Sequence, residues 1–290
     1  MHNGFLEYLL NNDPTQVLSK KGIARRKRFH SVFCNVIVPL STRNKLIIER
    51  KAICPIDKRI IFACTHGFRD DVAFSLKAAG EHAYLLYASI PDIFESIDGP
   101  ALWTNGVIML DRKDKASRHA AKEKMKYALS LGTNLLMYPE GVWNKTENLI
   151  VQKLYPGVYD VAKESGALVM PMATIQVEDK VYAILEEAFD ICAYIRKEGL
   201  AVLRDKMATA KYELMEKYSK SSRLEIGNAS AYWAQFLNEL IATSNGLYDY
   251  EIESTAQYID KSITEPAEAF AHLKQLQPNR NNAFLFRGRE

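Results

Sequence analysis

From Ile60 to Leu185, short apolar runs alternate with segments of helical composition. That alternation restricts the middle of the chain to folds in which parallel strands are joined by covering helices. Ile60-Ile61-Phe62-Ala63 reads as a buried strand, 71–79 as a helix closed by Gly80, and 83–88 as a second strand. Residues 106–110 read as another strand. Asp114 then caps a helix whose Ala121, Met125, Ala128 and Leu129 share one face, ended by Leu131-Gly132. A short strand at 134–138, a helix at 157–164 closed by Gly166, a strand at 167–177 and a hairpin partner at 181–185 complete the series. The expectation is an α/β fold, a largely parallel sheet covered by helices.

Both ends of the chain depart from this pattern. Lys20, Lys21, Arg25, Arg26, Lys27 and Arg28 precede Phe29, Val32, Phe33, Val36 and Ile37, which recur at helical spacing. A basic stretch beside an apolar stripe suits a helix on an anionic membrane surface, and the rival is a stripe packed on the protein's own core. The apolar run from Val32 to Leu40 is too short to span a bilayer, and no signal-peptide pattern opens the chain. After Ala193 only helices are expected, at 196–221 and at 231–242, the latter carrying Trp233, Phe236, Leu237 and Leu240, with Gly227 and Asn228 between them. The division is therefore 1–50, an N-terminal amphipathic helical segment for the membrane surface; 51–192, the α/β core; and 193–290, a C-terminal helical extension.

Composition excludes several classes. A net charge of +3 is too small to argue for nucleic acid. Cys34, Cys54, Cys64 and Cys192 are far apart, so neither a zinc site nor a disulfide framework is indicated, and a reducing, cytoplasmic setting follows. The absence of Gly-x-Ser-x-Gly argues against an α/β-hydrolase, and the absence of Gly-x-Gly-x-x-Gly against dinucleotide binding.

The chemistry-bearing residues fall at strand ends, where ligands bind in open α/β sheets. "CTHGFRDD" at 64–71 follows the first strand, "GVIMLDR" spans 106–112, "YPEGVWN" spans 138–144, and "VMPMA" lies within the strand at 167–177. In this order the segments resemble the glycerophospholipid acyltransferases, which include the 1-acylglycerol-3-phosphate acyltransferases. Thr65, His66 and Asp71 match the family's Asn-His-x-x-x-x-Asp, with Thr for Asn. Residues 106–112 match its glycine, apolar strand and arginine. Tyr138, Pro139, Glu140 and Gly141 match its commonly Phe-Pro-Glu-Gly motif, while Val142, Trp143 and Asn144 depart from the Thr-Arg-Ser that follows.

The resemblance implies an acyltransferase. An acceptor hydroxyl attacks a thioester poorly unless its proton leaves as the bond forms, and imidazole suits that task near neutral pH. His66 is then the base and Asp71 its orienting acid, as in a Ser-His-Asp triad; Asp70 reads as a helix-start acid. Arg112 suits a phosphate, with an ion pair to Asp111 or Asp114 as its rival role. Glu140 is expected to organise the acceptor site or to hold a turn, Gly141 to let backbone approach the ligand, and Trp143 to offer an apolar face to an acceptor less anionic than lysophosphatidic acid. Two rival readings are a Cys64-dependent acyl hydrolase and a non-catalytic membrane-binding module with a decayed site. The implied partners are a membrane surface, a lipid acceptor and, as co-substrate, acyl-CoA or acyl-carrier protein; no metal and no bound cofactor is called for. The implied location is the cytoplasm, peripheral on the inner face of the membrane.

Overall fold

The structure is a computed structural model that describes residues 2–88, 94, 98–144, 149–219, 235, 238 and 239. The helix expected at 231–242 lies, apart from three positions, outside the described residues. The strands are β1 (Lys45–Lys51), β2 (Ile60–Cys64), β3 (Ala83–Ala88), β4 (Val107–Leu110), β5 (Asn134–Met137), β6 (Leu168–Val177) and β7 (Lys180–Leu185). Among the described residues they form one seven-stranded sheet in the order β1-β7-β6-β2-β5-β3-β4. Strands β6, β2, β5, β3 and β4 are mutually parallel, β7 turns back antiparallel to β6, and β1 runs parallel to β7. The expected α/β class, largely parallel and helix-covered, is the class observed.

Burial explains why the central strands read as unbroken apolar runs. Every residue of β2 and β5 is buried, because helices lie on both faces of the sheet. One face carries α7 (Lys115–Ser130), α8 (Gly157–Ser165) and α9 (Arg196–Tyr218), packed through Ala121, Met125, Val158, Val161, Leu203 and Met207. The other carries α5 (Asp71–Ala79) and the helical arm of α3 (Lys20–Val32), packed through Phe33, Cys34, Val38, Phe74 and Leu76. Asp114 caps α7 as its sequence promised, its carboxylate accepting from the amides of Ala116 and Ser117 at 3.0 and 2.9 Å. Such a cap stabilises a helix by about 1 kcal/mol.

The sheet boundaries differ from the division read in the sequence. A border at residue 50 cuts through β1, which had read as the tail of a helical segment; "KLIIERK" alternates poorly because β1 is a half-exposed edge strand with a bulge between Ile48 and Arg50. A border at 192 detaches α9, yet α9 lies on β6 and β7. It is held there by Arg50, which pairs with Glu213 at 2.9 Å and Glu186 at 2.5 Å. The opposite edge, β4, is covered by α1 (His2–Asn11), whose Leu9 packs with Val107 and Met109.

The N-terminal stripe divides. After α3 the helix continues through a π-helical turn, Phe33–Ile37, into α4 (Val38–Ser41). Phe33 and Val38 are buried, with Phe29 and Ile37 packed beside them, so this half of the stripe belongs to the core, as the rival reading held. Val32, Val36 and Leu40 remain exposed, Leu40 by 83%. The basic residues divide too. Arg26 reaches the Trp103 carbonyl and Lys27 the Gly132 carbonyl, while Arg25 and Arg28 stay exposed in the same row as Val32 and Val36. Among the described residues no helix is long and apolar enough to cross a membrane.

Candidate active site

The chain leaves β2 towards α5 on one face of the sheet and leaves the neighbouring β5 towards α8 on the other. The carboxyl ends of these two strands are therefore a switch point, and the crevice at such a point is the usual ligand position in open α/β sheets. The sequence delivers His66 from the β2 side and Tyr138 to Asn144 from the β5 side.

On the β2 side, Thr65 ends the strand in place of the family's asparagine. Its buried hydroxyl accepts from the Thr174 amide at 3.1 Å and so ties β2 to β6. The following loop closes on Asp71, in the first turn of α5 and completely buried. One carboxylate oxygen, Oδ2, accepts from His66 Nδ1 at 2.8 Å, from the Gly67 amide at 2.8 Å and from the Phe68 amide at 3.3 Å. This fixes the tautomer with the proton on Nδ1, leaving Nε2 as the basic nitrogen. Asp70 instead sits at the helix N-cap and accepts from Asn44 Nδ2 at 3.3 Å, which binds the end of the helical arm beside this loop.

On the β5 side the motif is chiefly a scaffold. Glu140, 1% exposed, accepts from the His66 amide at 3.1 Å with one oxygen and from the Gln152 amide at 2.8 Å with the other. Burial pushes its carboxyl above the ordinary range, while Lys211 and the two amides draw it back. Both oxygens are therefore engaged with backbone amides, which ties the His66 loop to the segment around Gln152. Gly141 has φ +75°, and a Cβ there would lie 2.7 Å from the Tyr155 ring. The Tyr155 ring fills the space on the Cβ side of Gly141, so close packing there requires glycine. The Gly141 amide donates to the Tyr138 carbonyl at 2.9 Å, and its carbonyl accepts from Arg112 Nη1.

Arg112 thus crosses from the end of β4 to the β5 turn. Asp111 and Asp114, its rival ion-pair partners, accept backbone amides of Lys113 and of the first turn of α7. Trp143 is buried rather than an open platform; its ring meets the His66 imidazole edge to face at 6.1 Å. Asn144 donates its amide to the His66 carbonyl at 2.8 Å, so the divergent end of the motif still fastens the two sides together. The structure therefore gathers all six expected residues, His66, Asp71, Arg112, Glu140, Gly141 and Trp143.

Cys64 does not join them. It is fully buried, its Sγ lies 3.1 Å from Ser75 Oγ, and burial pushes the thiol up to about 12, the opposite of an activated nucleophile. Sequence reasoning missed Tyr138, whose ring stacks on His66 at 4.2 Å, and Ser75, which accepts the Tyr138 hydroxyl at 3.1 Å. Helical spacing held a signal for Ser75, since it lies four residues after Asp71 and hence on the same face of α5. Among the described residues no group of three His, Cys, Asp or Glu side chains is placed to hold a metal ion.

A His-Asp pair at the carboxyl end of a parallel strand, with motif-bearing turns around it, has the form of a general-base site, and the chain can be compared with known proteins on that footing. Residues 45–175 match the family model described as Acyltransferase. No curated protein matches the chain. Among solved structures, the 1-acyl-sn-glycerophosphate (LPA) acyltransferase PlsC from Thermotoga maritima is similar at 16% identity, covering 77% of this chain and 90% of that one, with a TM-score of 0.52. At that identity the likeness concerns the fold. The family likeness is confined to the segment 45–175, which spans the sheet from β1 into β6.

Proposed function

We propose that the protein transfers a fatty acyl group from an acyl thioester, acyl-CoA or acyl-carrier protein, to a hydroxyl of a lysophospholipid-like or other lipid acceptor. The observation that carries this reading is the 2.8 Å contact between His66 Nδ1 and a wholly buried Asp71 inside an acyltransferase-family domain. His66 Nε2 removes the acceptor proton as the hydroxyl oxygen attacks the thioester carbon. Asp71 steadies the resulting imidazolium. The tetrahedral intermediate then collapses, the C–S bond breaks, and the thiolate receives the proton from Nε2. No covalent enzyme intermediate, metal or resident cofactor enters these steps.

The departure from the family motif shapes the acceptor. Trp143 stands where the family carries arginine, and Arg112 uses one of its nitrogens on the Gly141 carbonyl. Each charge-assisted hydrogen bond lost to a phosphate removes about 1.5 to 3 kcal/mol, or about one to two powers of ten in affinity. The reading is therefore an acceptor less anionic than lysophosphatidic acid. Acyl transfer to lysophosphatidic acid and to neutral and zwitterionic lysolipids, by wild type and His66→Ala, tests both parts. Loss of turnover by roughly a hundredfold or more in the folded variant supports the base, and unchanged turnover overturns it. Strong preference of wild type for lysophosphatidic acid overturns the acceptor reading.

The protein works, on this proposal, from a membrane surface on the cytoplasmic side. Arg25 and Arg28 precede the exposed Val32, Val36 and Leu40 along one row, and the row ends where Asn44 meets Asp70 beside the catalytic loop. Charge reversal at Arg25 and Arg28 is expected to weaken sedimentation with anionic vesicles. The difference is expected to shrink with added salt, which screens surface charge beyond ~8 Å at physiological ionic strength.

A further inference from the structure

The base is held at one edge by Asp71, which leaves the tilt of its ring about the Nδ1 contact to be set by something else. Tyr138 supplies the missing constraint. Its ring lies 4.2 Å from the imidazole at an interplanar angle of 29°, close to parallel stacking. Its hydroxyl donates to Ser75 Oγ at 3.1 Å, and Ser75 is wholly buried, with Cys64 Sγ also 3.1 Å from that oxygen. Ser75 and Asp71 are one turn apart on α5. One helical face therefore controls the imidazole twice, through a carboxylate at its edge and through a tethered aromatic wall on its flat side.

We infer that Tyr138 is a positioning residue for the His66 base, holding the plane of the imidazole through ring stacking while its hydroxyl, anchored on Ser75, holds the ring itself. The inference rests on the acyl-transfer reading above and adds a residue to it. The π face also favours the imidazolium formed as the acceptor proton moves, since a cation is attracted to an aromatic face. Burial raises the phenol well above its ordinary pKa, so Tyr138 remains a hydrogen-bond donor and not a competing base. The family's common phenylalanine at this place offers the stack without the tether, which makes the hydroxyl to Ser75 a feature of this chain's own residues.

The test measures kcat, KM for a thioester donor and the pH profile of kcat/KM in Tyr138→Leu, Tyr138→Phe, Ser75→Ala and the Tyr138→Phe/Ser75→Ala double variant. Thermal melting confirms the fold of each. Tyr138→Leu removes the wall and is expected to lower kcat about tenfold with little change in KM, and to move the acid limb of the profile to lower pH. Tyr138→Phe keeps the wall and should leave that limb in place, with a loss of about two- to threefold. Ser75→Ala should match it, and the double variant should add nothing, because both remove one bond. Wild-type kcat and limb in a folded Tyr138→Leu overturn the inference, as do fully additive losses in the double variant. His66→Ala is assayed alongside. If it remains active, the base assignment itself fails; if it is inactive while Tyr138→Leu behaves as wild type, only the role of Tyr138 fails.

Discussion

The crevice and α9 both bury carboxylates, and they differ in the donors that reach them. At the crevice, Asp71 and Glu140 accept from backbone amides of the loop that bears His66, so burial there fastens the proposed base. Asp71 and Asp205 each bury an Oδ1 without a hydrogen-bond partner among the described residues, but Asp71 Oδ2 collects three donors, whereas on α9 burial of Asp205, 1% exposed, raises its carboxyl to about 7. A carboxylate surrounded by donors becomes a rigid joint. One without them becomes a group that prefers to keep its proton.

The largest effect in this comparison is expected from Asp71→Asn. An amide in place of the carboxylate loses the charge that steadies the imidazolium and offers an NH2 donor towards a ring nitrogen. The kcat of acyl transfer should fall by about a hundredfold or more, measured with saturating donor. Survival of near-wild-type kcat would break the view of Asp71 as more than a structural acceptor. Glu140→Ala acts on the same loop through stability. It leaves the His66 and Gln152 amides without their acceptor, at about 1 to 3 kcal/mol for each buried group, and a melting point several degrees lower should follow. Glu140→Gln, which retains one acceptor oxygen, should fall between the two.

Asp205 should give the smallest effect, and its distinguishing mark is its sign. The unfolded chain ionises this carboxyl near 3.8, whereas the folded protein holds the proton to about 7. The folded state binds more protons over that interval, so this group's contribution to stability falls as pH rises through it. Asp205→Asn should flatten that slope, read as the difference in melting temperature between pH 5 and pH 8. An unchanged difference would show that α9 compensates Asp205 after all.

The parts of this architecture legible in the sequence were those with a local cause. β2 and β5 showed as apolar runs because helices bury both faces. Gly80 and Gly166 marked helix ends because they adopt positive φ. His66 and Asp71 showed because only four residues separate the two groups of one hydrogen-bonded pair. What escaped had a distant cause. β1 is a strand because β7, more than 130 positions later, offers it an edge. Tyr138 had been quoted as part of a motif, but its contact with His66 depends on β2 and β5 being neighbours in the sheet. Glu140 and Gly141 were found by resemblance, but their packing partners Gln152 and Tyr155 could not be placed over them from sequence spacing.

The two edges of the sheet bear on how the molecule stays dispersed. An unpaired strand edge is a template on which another chain can add. β1 meets this hazard with its bulge and with Lys45, Glu49, Arg50 and Lys51, charges that a flat intermolecular pairing would have to desolvate. β4 has no such defence; "VIML" is an uncharged apolar strand, and what shields it is the apolar side of α1. The buried Lys124 donates to the Leu9 and Leu10 carbonyls at 2.8 and 2.7 Å, so a single side chain on α7 latches that cover in place. The sheet is thus guarded at one border by charges costly to desolvate and at the other by a clasp.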